Sequence, residues 1–191
     1  MDPVLVNFNL VGRWNTKIFN PAWILNNLLE ESDGQDLKGE VNAENLDITY
    51  NFGVIHLVPQ DNSLKINIKK FDKESLARGA RALNCIINLL PHTPISGIGY
   101  NVMFQVEGER SLSYINFLTS LPIYKDGAFR ISRLDVSQIR DGYALNVVSE
   151  LIENAAFSVS FNFHFSKIQK RFDEELFYEL YLEAKEFIST I

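Results

Sequence analysis

The chain has 191 residues, enough for one domain or two small units sharing a core. Its 18 Lys and Arg against 24 Asp and Glu give a formal charge of -6, which works against the phosphate neutralisation that drives nucleic-acid binding. One cysteine rules out an internal disulfide; with no apparent signal peptide and no apolar run near the roughly 20 residues of a membrane helix, a cytoplasmic location is expected.

Val4, Val6, Phe8 and Leu10 alternate with Leu5, Asn7, Asn9 and Val11, the period of a strand with one fully apolar face. Asn20-Pro21 reads as a helix start, with Ile24, Leu25, Leu28 and Leu29 following at helical spacing. Residues 30–39 are polar and read as a loop. Residues 41–50 and 52–58 read as strands, with Asn51 in a tight turn unless the two are one long strand. Residues 59–63 carry a strong turn signal, and Leu64, Ile66 and Ile68 mark the next strand.

Asp72 caps the clearest helix. Leu76, Ala80, Leu83, Ile87 and Leu90 form its apolar stripe, and Pro91 and Pro94 stop it. Gly79 either weakens the middle of this helix or permits close packing. A second long strand carries Ile98, Tyr100, Val102, Phe104 and Val106. A short helix is predicted over 111–120, with strands over 129–136 and 143–150 joined by a turn at Arg140-Asp141-Gly142. Phe157, Val159, Phe161, Phe163 and Phe165 make the strongest strand signal. The residues between them are polar, so this strand is expected to sit centrally with one wet face. Asp173 caps a final helix.

Lys70-Phe71-Asp72-Lys73-Glu74 parallels Arg171-Phe172-Asp173-Glu174-Glu175 at an offset of 101 residues. The stripe that follows keeps the same register, through Phe177, Tyr181, Ala184, Ile188 and Ile191. The expected fold is α+β: internally duplicated β-α-β-β-β-α units, residues 1–94 and 95–191, forming one compact domain. Its antiparallel sheet or sheets are covered by two long helices.

The Pro-terminated helix followed by Ile95-Ser96-Gly97-Ile98-Gly99-Tyr100 resembles the middle of a broad family of uncharacterised bacterial proteins with a two-half α+β layout. The Arg expected in that family's long strand is replaced here by Tyr100-Asn101. The resemblance implies a fold and no activity.

Chemistry is sparse. His56, His92 and His164 share no metal-ligand spacing with each other or with Cys85, so no metal or cofactor is expected. Cys85 lies beside the apolar stripe and reads as a buried thiol. Gly97 and Gly99 precede a strand, the wrong context for a phosphate cradle. Lys65, Lys69 and Lys70 match Lys167, Lys170 and Arg171 in the second half, and read as solvated edges that discourage strand pairing.

Two functional expectations follow. The first is a non-enzymatic protein-interaction or assembly module, in one form a homodimer, using Tyr178, Tyr181, Leu182, Trp14 and Trp23. The second is a small-ligand or catalytic cleft between the halves, lined by His164, Asn162, Asn101 and Gln105 if the two long strands are neighbours. A nucleic-acid partner fits the acidic chain least.

Overall fold

In a computed structural model of the chain, the described residues are 1–34, 36–41, 47–108, 133–152 and 156–190. The alternating segments pair into one antiparallel sheet of nine strands. Its members are β1 (Leu5–Gly12), β2 (Leu37–Val41), β3 (Ile48–Phe52), β4 (Ile55–Gln60), β5 (Ser63–Ile68), β6 (Ile95–Val106), β7 (Arg133–Arg140), β8 (Tyr143–Leu151) and β9 (Phe157–Phe165). Their order is β2-β3-β4-β5-β1-β6-β9-β8-β7. The opening strands of the two halves, β1 and β6, lie side by side at the middle, with Phe8 opposite Tyr100.

The register sorts the side chains of all nine strands into two faces. Ile55, Ile68, Val6, Val102, Phe161 and Val147 are successive partners on one of them. Helices α2 (Lys73–Leu89) and α3 (Glu174–Ser189) cover this apolar face and pack against each other. Both begin as expected: Asp72 accepts from the Ser75 N–H and Asp173 from the Glu175 N–H. The stripe residues Leu76, Ala80, Leu83, Phe177 and Ala184 are fully buried. At the centre, the Phe8 ring lies 5.0 Å from Tyr100 and 4.7 Å from Phe177.

A short helix α1 (Pro21–Asn27) follows β1, its cap Asn20 accepting from the Trp23 N–H. The Glu30–Asp33 stretch after it is pinned to α2. Arg78, buried within α2, bonds both oxygens of Asp33 and the Leu28 carbonyl.

Several expectations need correction. Residues 30–39 are not a plain loop, because β2 starts at Leu37 and adds a fifth strand to the first half. Asn51 is inside β3; the turn is at Gly53 and Val54, where Gly53 has φ 49. Pro59 lies in β4 rather than in a turn, and the reversal falls on Asp61 and Asn62. The β3 pairing has ended by Leu57, so Pro59 needs no N–H on that side. The Phe-rich β9 is interior but lies two places from the middle strand β1. Lys65 sits on the interior strand β5, not on an edge. The predicted helix over 111–120 and the start of the predicted strand over 129–136 lie outside the described residues.

Candidate functional site

The second face of the sheet carries no described helix of this chain. Its middle is a single row of directly opposed residues: Asn51, His56, Asn67, Asn7, Asn101, Asn162, Asn146 and Ser137, on eight successive strands. Short amides at matched register bond sideways. Ser137 Oγ donates to Asn146 Oδ1 at 2.7 Å, and Asn146 Nδ2 to Asn162 Oδ1 at 3.2 Å. Asn162 then donates to Asn101, and Asn101 Nδ2 to Asn7 Oδ1 at 2.8 Å. Asn146, Asn162 and Asn101 each give one hydrogen bond toward β1 and receive one from the β7 side, an arrangement in which neighbouring bonds polarise one another.

Strands β6 and β9 are neighbours, so the condition set on the ligand-site residues holds. Asn101 faces Asn162 directly, and His164 faces Gly99 in the next row. Gln105 stands apart: it lies opposite Ser158, is exposed, and bonds Glu107. The two glycines leave room that the chain itself fills. A Cβ at Gly97 would meet His164 Cε1 at 2.7 Å, and one at Gly99 would meet Asn162 Nδ2 at 2.8 Å.

Concavities occur elsewhere. One, of about 220 Å³, lies among Thr16, Phe19, Asp47 and Tyr50. Another, of about 520 Å³, lies among Ile87, Leu90, Ile95 and Ile168, with Lys170 at its rim. Neither is lined by His164, Asn162, Asn101 or Gln105.

The remaining reactive groups are engaged in the fold. His56 Nδ1 lies 3.5 Å from Asn67 Nδ2, and burial, helped by the Lys69 charge, pushes its pKa below the ordinary 6.5. Burial thus disfavours the charged imidazolium at this position. Cys85 Sγ donates to the Asn27 carbonyl at 3.1 Å, and burial pushes its pKa up, away from the thiolate a nucleophile needs. Arg81 bonds Glu30, Glu74 and Glu174, joining the Glu30 turn to both long helices. No group of three or more potential metal ligands occurs among the described residues. His92 is exposed on the loop between α2 and β6.

The expected interface side chains divide. Trp14 is buried, its indole N–H bonded to the Leu10 carbonyl, and Tyr181 is core. Both side chains are therefore part of the core rather than exposed surface. Tyr178 is half-buried and stacks on Tyr181, Trp23 packs edge-on against Phe19, and Leu182 is 44% exposed.

Among the described residues the sheet ends in two strands with one neighbour each, a feature that strand periodicity cannot reveal because it says nothing of strand order. Edge β2 has five residues and carries Lys38 and Glu40. Edge β7 has eight, and exposes Val136 at 52% and Ile139 at 90%.

No protein-family model and no curated protein matches the chain. No helix among the described residues is long and apolar enough to cross a membrane.

Proposed function

We propose that the chain is a non-enzymatic protein-interaction or assembly module, cytoplasmic and homodimeric, descended from a duplicated β-α-β-β-β-α unit. The observation that carries the reading is edge strand β7. Proteins ordinarily blunt a sheet edge by keeping it short or charged, as β2 does here. Strand β7 carries charges as well, Arg133, Asp135 and Arg140, but it is longer and exposes Ile139 at 90%. An open strand of that kind is a template for another chain.

The duplication is supported by strand order. In the first half β3, β4, β5 and β1 are consecutive neighbours, and in the second half β7, β8, β9 and β6. Equivalent helix positions are buried alike: Leu76 with Phe177, Ala80 with Tyr181, Leu83 with Ala184 and Ile87 with Ile188.

A small-ligand cleft beside His164 has less behind it, since the spaces over Gly97 and Gly99 are filled by His164 and Asn162 themselves. Pockets for small ligands are concave, whereas this face is a row of mutually bonded amides. Sedimentation equilibrium of the full chain at micromolar concentrations tests the reading. A concentration-dependent dimer is expected, and a monomer at every attainable concentration would remove the homodimer.

A further inference from the structure

We infer that two copies of the chain join edge to edge through β7, antiparallel about a two-fold axis at Val136, so that their two sheets become one. The inference rests on the homodimer reading and specifies its interface.

The backbone argument comes first. The two-residue turn Asp141-Gly142, with Gly142 at φ 87, closes the β7–β8 hairpin, and Arg140 faces Tyr143 across it. In such a hairpin the closing pair exchanges main-chain bonds, and every second residue repeats the pattern. Gln138, Val136 and Leu134 therefore direct their peptide groups to β8. Ile139, Ser137, Asp135 and Arg133 direct theirs outward, where no described strand of this chain receives them. Peptide groups in a row with no described strand beside them ask for a strand.

The side chains select which strand. An axis perpendicular to the sheet keeps apolar face with apolar face only if residues of equal parity meet. With the axis at Val136, Val136 meets its own copy and Leu134 meets Gln138. On the other face Asp135 meets Ser137, and the stem of Arg133 covers the exposed Ile139. No like charges stand directly opposite. Moving the axis one residue to Asp135 sets two carboxylates face to face, a destabilising pair. Moving it to Ser137 sets Leu134 against Arg140 and Asp135 against Ile139, so that apolar side chains meet charged ones. Of these three axes, Val136 is the one that brings neither two carboxylates together nor a carboxylate onto Ile139, as a self-complementary isologous interface favours.

Each copy has a formal charge of -6. Within β7, two arginines outweigh one aspartate, so each strand offers a net positive charge to the acidic body of the other copy. The join sets Ser137, which ends the amide row at the edge, opposite Asp135 of the second copy.

The test is oxidative cross-linking of the full chain in a Cys85→Ser background, which removes the one native thiol. Val136→Cys places two thiols directly opposite in a pair lacking main-chain bonds, with Cβ atoms about 4.5–5.5 Å apart. Mild oxidation with oxidised glutathione is expected to convert the dimer to a disulfide-linked species. Gln138→Cys, whose copies stand four residues out of register and so roughly 13 Å apart, is expected to stay unlinked. Val136→Lys, which puts two ammonium groups on the axis, is expected to weaken dimerisation about tenfold or more, with far-UV circular dichroism unchanged. A dimer by sedimentation that the first variant does not link, or that the second links in preference, overturns the β7 pairing and leaves the homodimer standing. So does a Val136→Lys variant that dimerises like the wild type. A chain that never dimerises overturns both.

Discussion

A methyl group added at Gly79 would sit 2.3 Å from Ile68 Cδ1 and 3.0 Å from Phe8 Cε2. The helix would gain: alanine is favoured over glycine by about 1 kcal/mol in a helix interior. The packing would lose, since overfilling a dense core costs about 1–3 kcal/mol. Gly79→Ala is therefore expected to destabilise the protein, with the measured loss reduced by the propensity gain. Ile68→Val deletes the closest atom, so the double variant should recover part of the loss in urea unfolding; a Gly79→Ala variant more stable than wild type would show that α2 does not approach the sheet this closely. The sequence presents both outcomes at Gly79, because choosing between them requires knowing that β1 and β5 run underneath. The amide row has the same character. The outward parity of Asn101 and Asn162 is readable from their strands, whereas their meeting with Asn7 and Asn146 depends on strand order. In the sequence Asn84 is an ordinary polar residue in a helix. It is 8% exposed, and its side-chain amide binds both the N–H and the carbonyl of Phe172. Only the proximity of the second half gives it that role.

Among the elements, those with local chemistry were legible. Asn20, Asp72 and Asp173 announce their helices because a short polar side chain satisfies free N–H groups within three residues of itself. The β7–β8 turn was legible from Asp141-Gly142 because Gly142 supplies the positive φ that a two-residue hairpin turn needs. The errors fall where tertiary pairing overrides a local signal, as at Pro59, tolerated because the β3–β4 pairing stops at Leu57, and at β2, a polar segment that is a strand through its pairing with β3. The turn between α1 and β2 depends on the fold as well. Its Asp33 side chain is 3% exposed and its partner Arg78 is 4% exposed. Gly53 keeps the space clear, since a Cβ there would strike Asp33. Asp33→Asn leaves a buried guanidinium short of its counter-charge, a change that costs about 3–5 kcal/mol in comparable sites. Glu30, 3.4 Å from Arg78 Nε, remains and should hold the loss near the lower end. Arg81 provides the contrast: its side chain is 32% exposed, and removing any one of its acidic partners should cost no more than about 1 kcal/mol. Chemical denaturation of both kinds of variant separates the cases, and equal losses would show that the Asp33 site is wetter than its geometry implies.

At the scale of the molecule, the two halves share a core instead of owning one each. Strand β1 pairs with β5 on one side and with β6 on the other, so the middle of the sheet is a junction between halves. Phe8 from the first half touches Tyr100 and Phe177 from the second. Lys73 reaches Glu175, and Asn84 holds Phe172. A half of about 95 residues taken alone would expose the flank of its opening strand and these rings, a heavy loss for a core of that size. The expected consequence is one cooperative unfolding transition for the whole chain. Both tryptophans, Trp14 and Trp23, lie in the first half, so their fluorescence follows that half. Hydrogen exchange of the β9 amides follows the second. In a two-state protein the two probes report the same midpoint and the same free energy. Phe8→Ala removes the ring at the junction and is expected to lower both readings together, by about 3–5 kcal/mol. A β9 that keeps its protection while the tryptophans report unfolding would mean that the second half is a stable body by itself, and the junction at β1 and β6 would then be a docking contact between two independent units.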